Sequence, residues 1–312
     1  MSQLSAATVA KFRPELILNS ADPDGPAMNP AGDQEVSATQ LEMAPRRIPN
    51  LGHALLFVGF AGLMLVITQL ILLLVGKSPV IAPGGAITIQ YPKWQLAAMA
   101  TTYLTTLLAA WLVYPVLWRR AFLVGLGWHW ETARGQAGKL LGLGLFLGVV
   151  VQFITYFITT PKNMPMNDFF QTQSDVWLLT LFGTIVAPLF EEICFRGFLL
   201  PAIAIAYDWL SLPRTPEARI RWQTTTTLTP VGMIFAAVLS SIFFAGLHAE
   251  QVAHAWAVVV AIFSVSLVLT FVRVKTQSVA ASTLVHSAYN SFVFLTVMIA
   301  TGGYRHLDRM TK

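Results

Sequence analysis

From residue 51 to residue 300 the chain is a succession of long apolar runs, each about the ~20 residues that a bilayer-crossing helix requires, separated by short polar connections. The spacing predicts spans over roughly 52–76, 94–118, 136–160, 176–205, 231–249, 253–272 and 278–300. The runs do not alternate between apolar and polar positions as the short strands of a transmembrane barrel do. The predicted class is therefore all-α, a polytopic transmembrane helical bundle of about 7–8 spans. Residues 121–133 are too short to cross and carry Trp128 and Trp130, which suits a segment lying at the interface. Gly138 with Gly142, and Gly144 with Gly148, have the four-residue spacing that lets helices approach closely.

Composition narrows this further. The chain has 312 residues, 55% hydrophobic and 11% charged, where a soluble domain carries about 25% charged residues. Residues 1–49 differ from the rest, mixing Asp, Glu, Pro, Ala and Ser, and read as a disordered cytosolic tail. The organisation expected is that tail, N-terminal transmembrane helices over 50–175, a catalytic transmembrane core over 176–301, and a short polar tail over 302–312. The net charge of +5 comes without a basic cluster interleaved with exposed aromatics, so no nucleic-acid partner is expected. Cys194 is the one cysteine, which excludes an intrachain disulfide.

The basic residues also set an orientation. Arg46 and Arg47, then Arg119, Arg120, Arg134 and Lys139, then Arg214, Arg219 and Arg221, then Arg273 and Lys275 fall on alternate connections. Placing them in the cytosol gives a cytosolic N-terminus and leaves Glu191 nearer the cytosolic side. An odd number of spans then sends Arg305, Arg309 and Lys312 to the other side, which raises the expectation of an eighth span hidden in the long fourth region or at 120–133.

Ionisable groups inside such runs cost at least ~2.5–3.5 kcal/mol each at mid-bilayer and point to function by default. Of the 15 acids, only Glu191 and Glu192 lie well inside an apolar run. His248 and His286 are embedded in others, with Asn290 just beyond. Four-residue spacing puts Glu192 with Arg196, Phe244 with His248, and His286 with Asn290 on shared helix faces. Glu192 and Arg196 read as an ion pair, whereas Glu191, rotated by about 100°, has no such partner. Pro188 frees the carbonyl of Thr184 and predicts a local opening beside Glu191. Acid and imidazole together can deprotonate a water; imidazole and carboxamide can hydrogen-bond a developing oxyanion. These are the parts needed to hydrolyse an amide. One difficulty remains. Counted from Val176 and Val231, Glu191 and His248 lie ~22 Å and ~26 Å along straight helices that run in opposite directions, at opposite faces of the membrane unless the boundaries shift.

The ordered stretches EEICFR, FAGLH and HSAYN resemble the Glu-Glu-x-x-x-Arg, Phe-x-x-x-His and His-x-x-x-Asn motifs of the CAAX prenyl protease and bacteriocin-processing (CPBP, or Abi) family, whose eukaryotic branch is the Ras-converting endopeptidase. The resemblance covers about 180–295. It implies a multi-pass intramembrane endopeptidase, expected in a bacterial cytoplasmic membrane, with a membrane-associated peptide or protein substrate that a lipid can anchor. It further implies Glu191 and His248 as the water-activating groups, His286 and Asn290 as the oxyanion hole, Glu192, Arg196 and Phe244 in support, and no cofactor. Zinc held by Glu191, His248 and His286 is the alternative chemistry. A non-enzymatic immunity, partner-binding or transport protein is the alternative class.

Overall fold

The computed structural model describes residues 46–81, 87–158, 161 and 164–310. The disordered tail expected over 1–49 lies outside the described residues as far as residue 45; the last part of that range is in place, with Pro49 buried and Arg47 stacked 3.6 Å over the Trp222 ring.

Among the described residues seven helices are long and apolar enough to cross a membrane. They are α1 (Leu51–Leu74), α2 (Pro92–Trp118), α5 (Ala137–Tyr156), α6 (Gln173–Leu210), α8 (Pro230–Ala249), α9 (Trp256–Thr276) and α10 (Val279–Ala300). The short helices α3 (Phe122–Leu126) and α4 (Trp130–Gly135) occupy the 120–133 segment, and α7 (Pro216–Thr224) lies between α6 and α8. Neither place proposed for an eighth span holds one: 120–133 is two short helices, and the fourth region is one rod. Among the described residues the one strand pairing is a two-residue antiparallel ribbon, Val80–Ile81 with Ile87–Thr88. Leu74, Val116 and Ile299 are among many large apolar side chains turned outward, as a lipid-facing surface requires.

Two of the packed regions that hold the bundle frame the embedded acids and His286. In the first, Phe57 of α1, Tyr114 and Trp118 of α2, Phe122 of α3 and Phe198 of α6 bury their rings together, and Tyr103 stacks on Phe190 at 3.9 Å with the planes 7° apart. The N-terminal helices therefore brace the acid-bearing helix directly. In the second, α5 lies against α10. A Cβ on Gly144 would stand 2.5 Å from the Val285 carbonyl oxygen, and one on Gly148 would meet the Phe292 ring. These glycines permit the close approach that their spacing predicted. Gly138 and Gly142 share the spacing but not the role, since a Cβ there would meet nothing within 4 Å.

Rod α6 resolves the depth problem. It continues past Ile205 to Leu210 and packs antiparallel against α8 through Leu200, Ile203, Ala204 and Ala236. The corner is pinned where the Thr229 N–H donates to Asp208 at 2.7 Å. Counted from that corner, Glu191 lies about 26 Å from Asp208 and His248 about 29 Å from Thr229, at one level. The register is set by the C-terminal end of α6, which the apolar pattern does not mark.

Candidate active site

Two π-helical turns, Phe182–Val186 and Ile193–Leu199, flank the glutamates within α6. Such wide turns are rare and cluster at functional sites. The first follows from Pro188. The Ala187 N–H reaches back five residues to the Phe182 carbonyl, so it no longer serves Gly183, and Pro188 has no N–H to take its place. The Gly183 carbonyl is thus released, and the Asn290 amide donates to it at 2.7 Å. The freed carbonyl is Gly183 rather than Thr184 because the turn runs in π rather than α register.

Glu192 is fully buried and forms the hub of a network. Arg196 donates from Nη1 to Glu192 Oε1 at 2.8 Å, and His286 Nδ1 meets the same oxygen at 2.9 Å. Arg196 also donates from Nη2 to the Ser266 carbonyl at 2.9 Å and to Ser266 Oγ at 2.7 Å, tying α6 to α9. Its guanidinium lies 4.9 Å from the Phe244 ring, an attractive cation–π placement. Arg196 and His286 thus meet the buried Glu192 charge at Oε1, while Oε2 is buried without a hydrogen-bond partner among the described residues.

Glu191 stands apart from that network. Its side chain is 16% exposed, and Oε2 lies 3.8 Å from His286 Nε2, too far for a direct hydrogen bond. His286 therefore sits between the two acids, bonded to one and facing the other. His248 fixes its own ring by an Nδ1 contact of 2.8 Å to the Phe244 carbonyl, and its Nε2 has no hydrogen-bond partner among the described residues. The His248 ring lies 4.6 Å from that of Phe244, and the Phe244 ring 5.9 Å from that of His286. A proton on Nδ1 of each ring satisfies the adjacent oxygen.

A cavity of about 450 Å³ unites these groups. Glu191, Phe244, His248, His286 and Asn290 all line it, while Leu96, Met99, Phe169 and Phe182 supply apolar walls. Glu192 and Arg196 lie behind them, buried. Three distant stretches of chain thus meet at one hollow holding a carboxylate outside the buried ion network, two imidazole edges and a carboxamide. Several contributors had no signal in the sequence. Ser266 is one more hydroxyl in an apolar helix. Tyr103, Gln95 and Met99 come from α2, outside all three motifs. Among the described residues no three His, Cys, Asp or Glu side chains are grouped closely enough to hold a metal ion.

No curated protein and no solved structure matches the chain. Residues 173–292, which carry both acids, both imidazoles and Asn290, match the family described as type II CAAX prenyl endopeptidase Rce1-like, and this integral, multi-pass membrane chain carries a domain of that intramembrane peptide hydrolase family.

Proposed function

We propose that the chain hydrolyses a peptide bond of a membrane-associated peptide or protein by a water activated between Glu191 and His248. The observation that carries this reading is Glu191 itself: it lines the cavity outside the Glu192–Arg196–His286 network, within 3.8 Å of an imidazole. Glu191 takes a proton from the water as its oxygen adds to the carbonyl carbon, then delivers that proton to the leaving amine. His248 Nε2 accepts a hydrogen bond from the same water and aims it. His286, carrying both protons, donates Nδ1–H to Glu192 and Nε2–H to the oxyanion, with Asn290 as the second donor. Glu192 and Arg196 hold His286 in that pose. The apolar walls suit an apolar or lipid-bearing segment beside the cleaved bond.

The basic connections favour a cytosolic N-terminus. The cavity, however, takes Ile89, Pro165, Met166, Glu250 and Gln251 from connections at the other end of the bundle. With that orientation the mouth faces the non-cytosolic side. The earlier expectation that Glu191 lies nearer the cytosol gives way to substrate entry from outside.

The reading places no metal in the reaction. It is tested by comparing the new peptide termini in membranes from cells making the wild-type protein or His248→Ala at equal level, with and without a strong chelator. Termini that depend on His248 and persist under chelation are expected. Unchanged termini in the variant would overturn the assignment; chelator-sensitive cleavage with stoichiometric zinc in the purified protein would replace the metal-free mechanism.

A further inference from the structure

At the end of the bundle away from the catalytic cavity lies a second hollow of about 490 Å³, and its charge is one-sided. Arg46, Arg47, Arg120 and Arg273 line it together with His129, and among the described residues no carboxylate does. The four arginines come from the segment before α1, from the α2–α3 connection and from the end of α9, so only the folded chain assembles them.

Their partners are unequal. Arg47 is engaged, donating to the carbonyls of Trp222 and Thr225. Arg46 and Arg120 are exposed and have no ion pair or hydrogen bond among the described residues. Arg273 reaches the Leu126 carbonyl at only 3.4 Å, and its Nε is buried without a hydrogen-bond partner among the described residues. The protein thus leaves donor capacity on this guanidinium, one long Nη2 contact being its hydrogen bond among the described residues. The backbone makes room for this guanidinium. Gly127 adopts φ +72°, and a Cβ there would stand 2.8 Å from Arg273 Nη2. Ile48, Val124, Pro201 and Ile205 complete the wall with apolar surface.

We infer that this hollow binds a phosphate-bearing anion, with Arg273 at its floor and Arg46 and Arg120 closing over it. Guanidinium forks match phosphate oxygens in pairs. Basic pockets between transmembrane helices on the cytosolic side are where anionic lipid headgroups are held, and the apolar wall accommodates the glycerol and first acyl carbons.

The experiment uses the full-length protein purified in neutral detergent and given phosphatidylglycerol, phosphatidylcholine or inorganic phosphate, with retained ligand read by native mass spectrometry and stability by thermal unfolding. Phosphatidylglycerol is expected to be retained and to raise the midpoint, and phosphatidylcholine to do neither. A response to inorganic phosphate as well identifies the ligand as the phosphate alone; none identifies it as the lipid headgroup. Arg46→Gln and Arg120→Gln are each expected to weaken binding about fivefold, from ~1 kcal/mol per basic residue at the surface. Arg214→Gln, at the same end but outside this hollow, serves as the control and leaves binding unchanged. Equal retention by wild type and the Arg46→Gln/Arg120→Gln double variant, in a folded protein, overturns the inference, as does no response to either anion. Neither result depends on peptidase activity.

Discussion

Glu191→Gln is expected to hydrolyse its peptide substrate about 10²–10⁴-fold more slowly than wild type, the range a positioned general base contributes. Glutamine matches the carboxylate in shape and still hydrogen-bonds water, but it cannot take up a proton at neutral pH. Substrate binding should survive, because the apolar walls of Leu96, Met99 and Phe182 are untouched. The loss should therefore appear in kcat with KM nearly unchanged, the signature of an interaction made only in the transition state. Stability should also be unaffected: the Glu191 side chain makes no hydrogen bond among the described residues, lies 3.8 Å from His286 Nε2 and remains 16% exposed. Turnover close to wild type would remove Glu191 from the mechanism.

Arg196→Ala is expected to act on the fold instead. It would strand Glu192, which is fully buried, and release Ser266 on the neighbouring helix. Removing one partner of a buried ion pair costs about 3–5 kcal/mol, because the remaining charge is left uncompensated. A large fall in the midpoint of thermal unfolding in detergent micelles is the expected readout. Arg196→Lys should recover only part of it. Lysine keeps the charge but lacks the planar fork that reaches Glu192 Oε1, the Ser266 carbonyl and Ser266 Oγ together. A midpoint equal to wild type for Arg196→Ala would mean that the pair contributes nothing to the bundle. The two variants thus separate the acids, one affecting rate and the other the frame around it.

Much of this organisation is legible in the amino-acid order, because membrane helices leave a strong apolar signal and four-residue spacing is a local rule. The Glu192–Arg196 pair lies on the face that its spacing dictates, and the boundaries of α1, α2, α8 and α10 fall within two residues of those read from the pattern. What escaped depended on register or on distant packing. The released carbonyl is Gly183 because the turn before Pro188 widens to five residues, a choice that proline alone does not announce. Ser266 matters only because α9 passes beside Arg196. Gly142 and Gly144 are equivalent as letters, but only Gly144 faces α10. The depth of Glu191 relative to His248 was hidden because α6 extends to Leu210, where the sequence turns polar around Asp208 and the apolar signal fades while the helix continues.

The claim beneath the account is that residue 191 faces a water-filled hollow reached from the non-cytosolic side. A cysteine placed there tests it directly, in a Glu191→Cys, Cys194→Ser protein that removes the single native thiol. Intact cells would be treated with a charged, membrane-impermeant thiol reagent, and labelling compared with that by a lipid-soluble reagent. Labelling by the impermeant reagent added outside is the predicted result. A thiol that resists aqueous reagents from both sides, yet reacts with the lipid-soluble one, would place residue 191 in lipid and contradict the account.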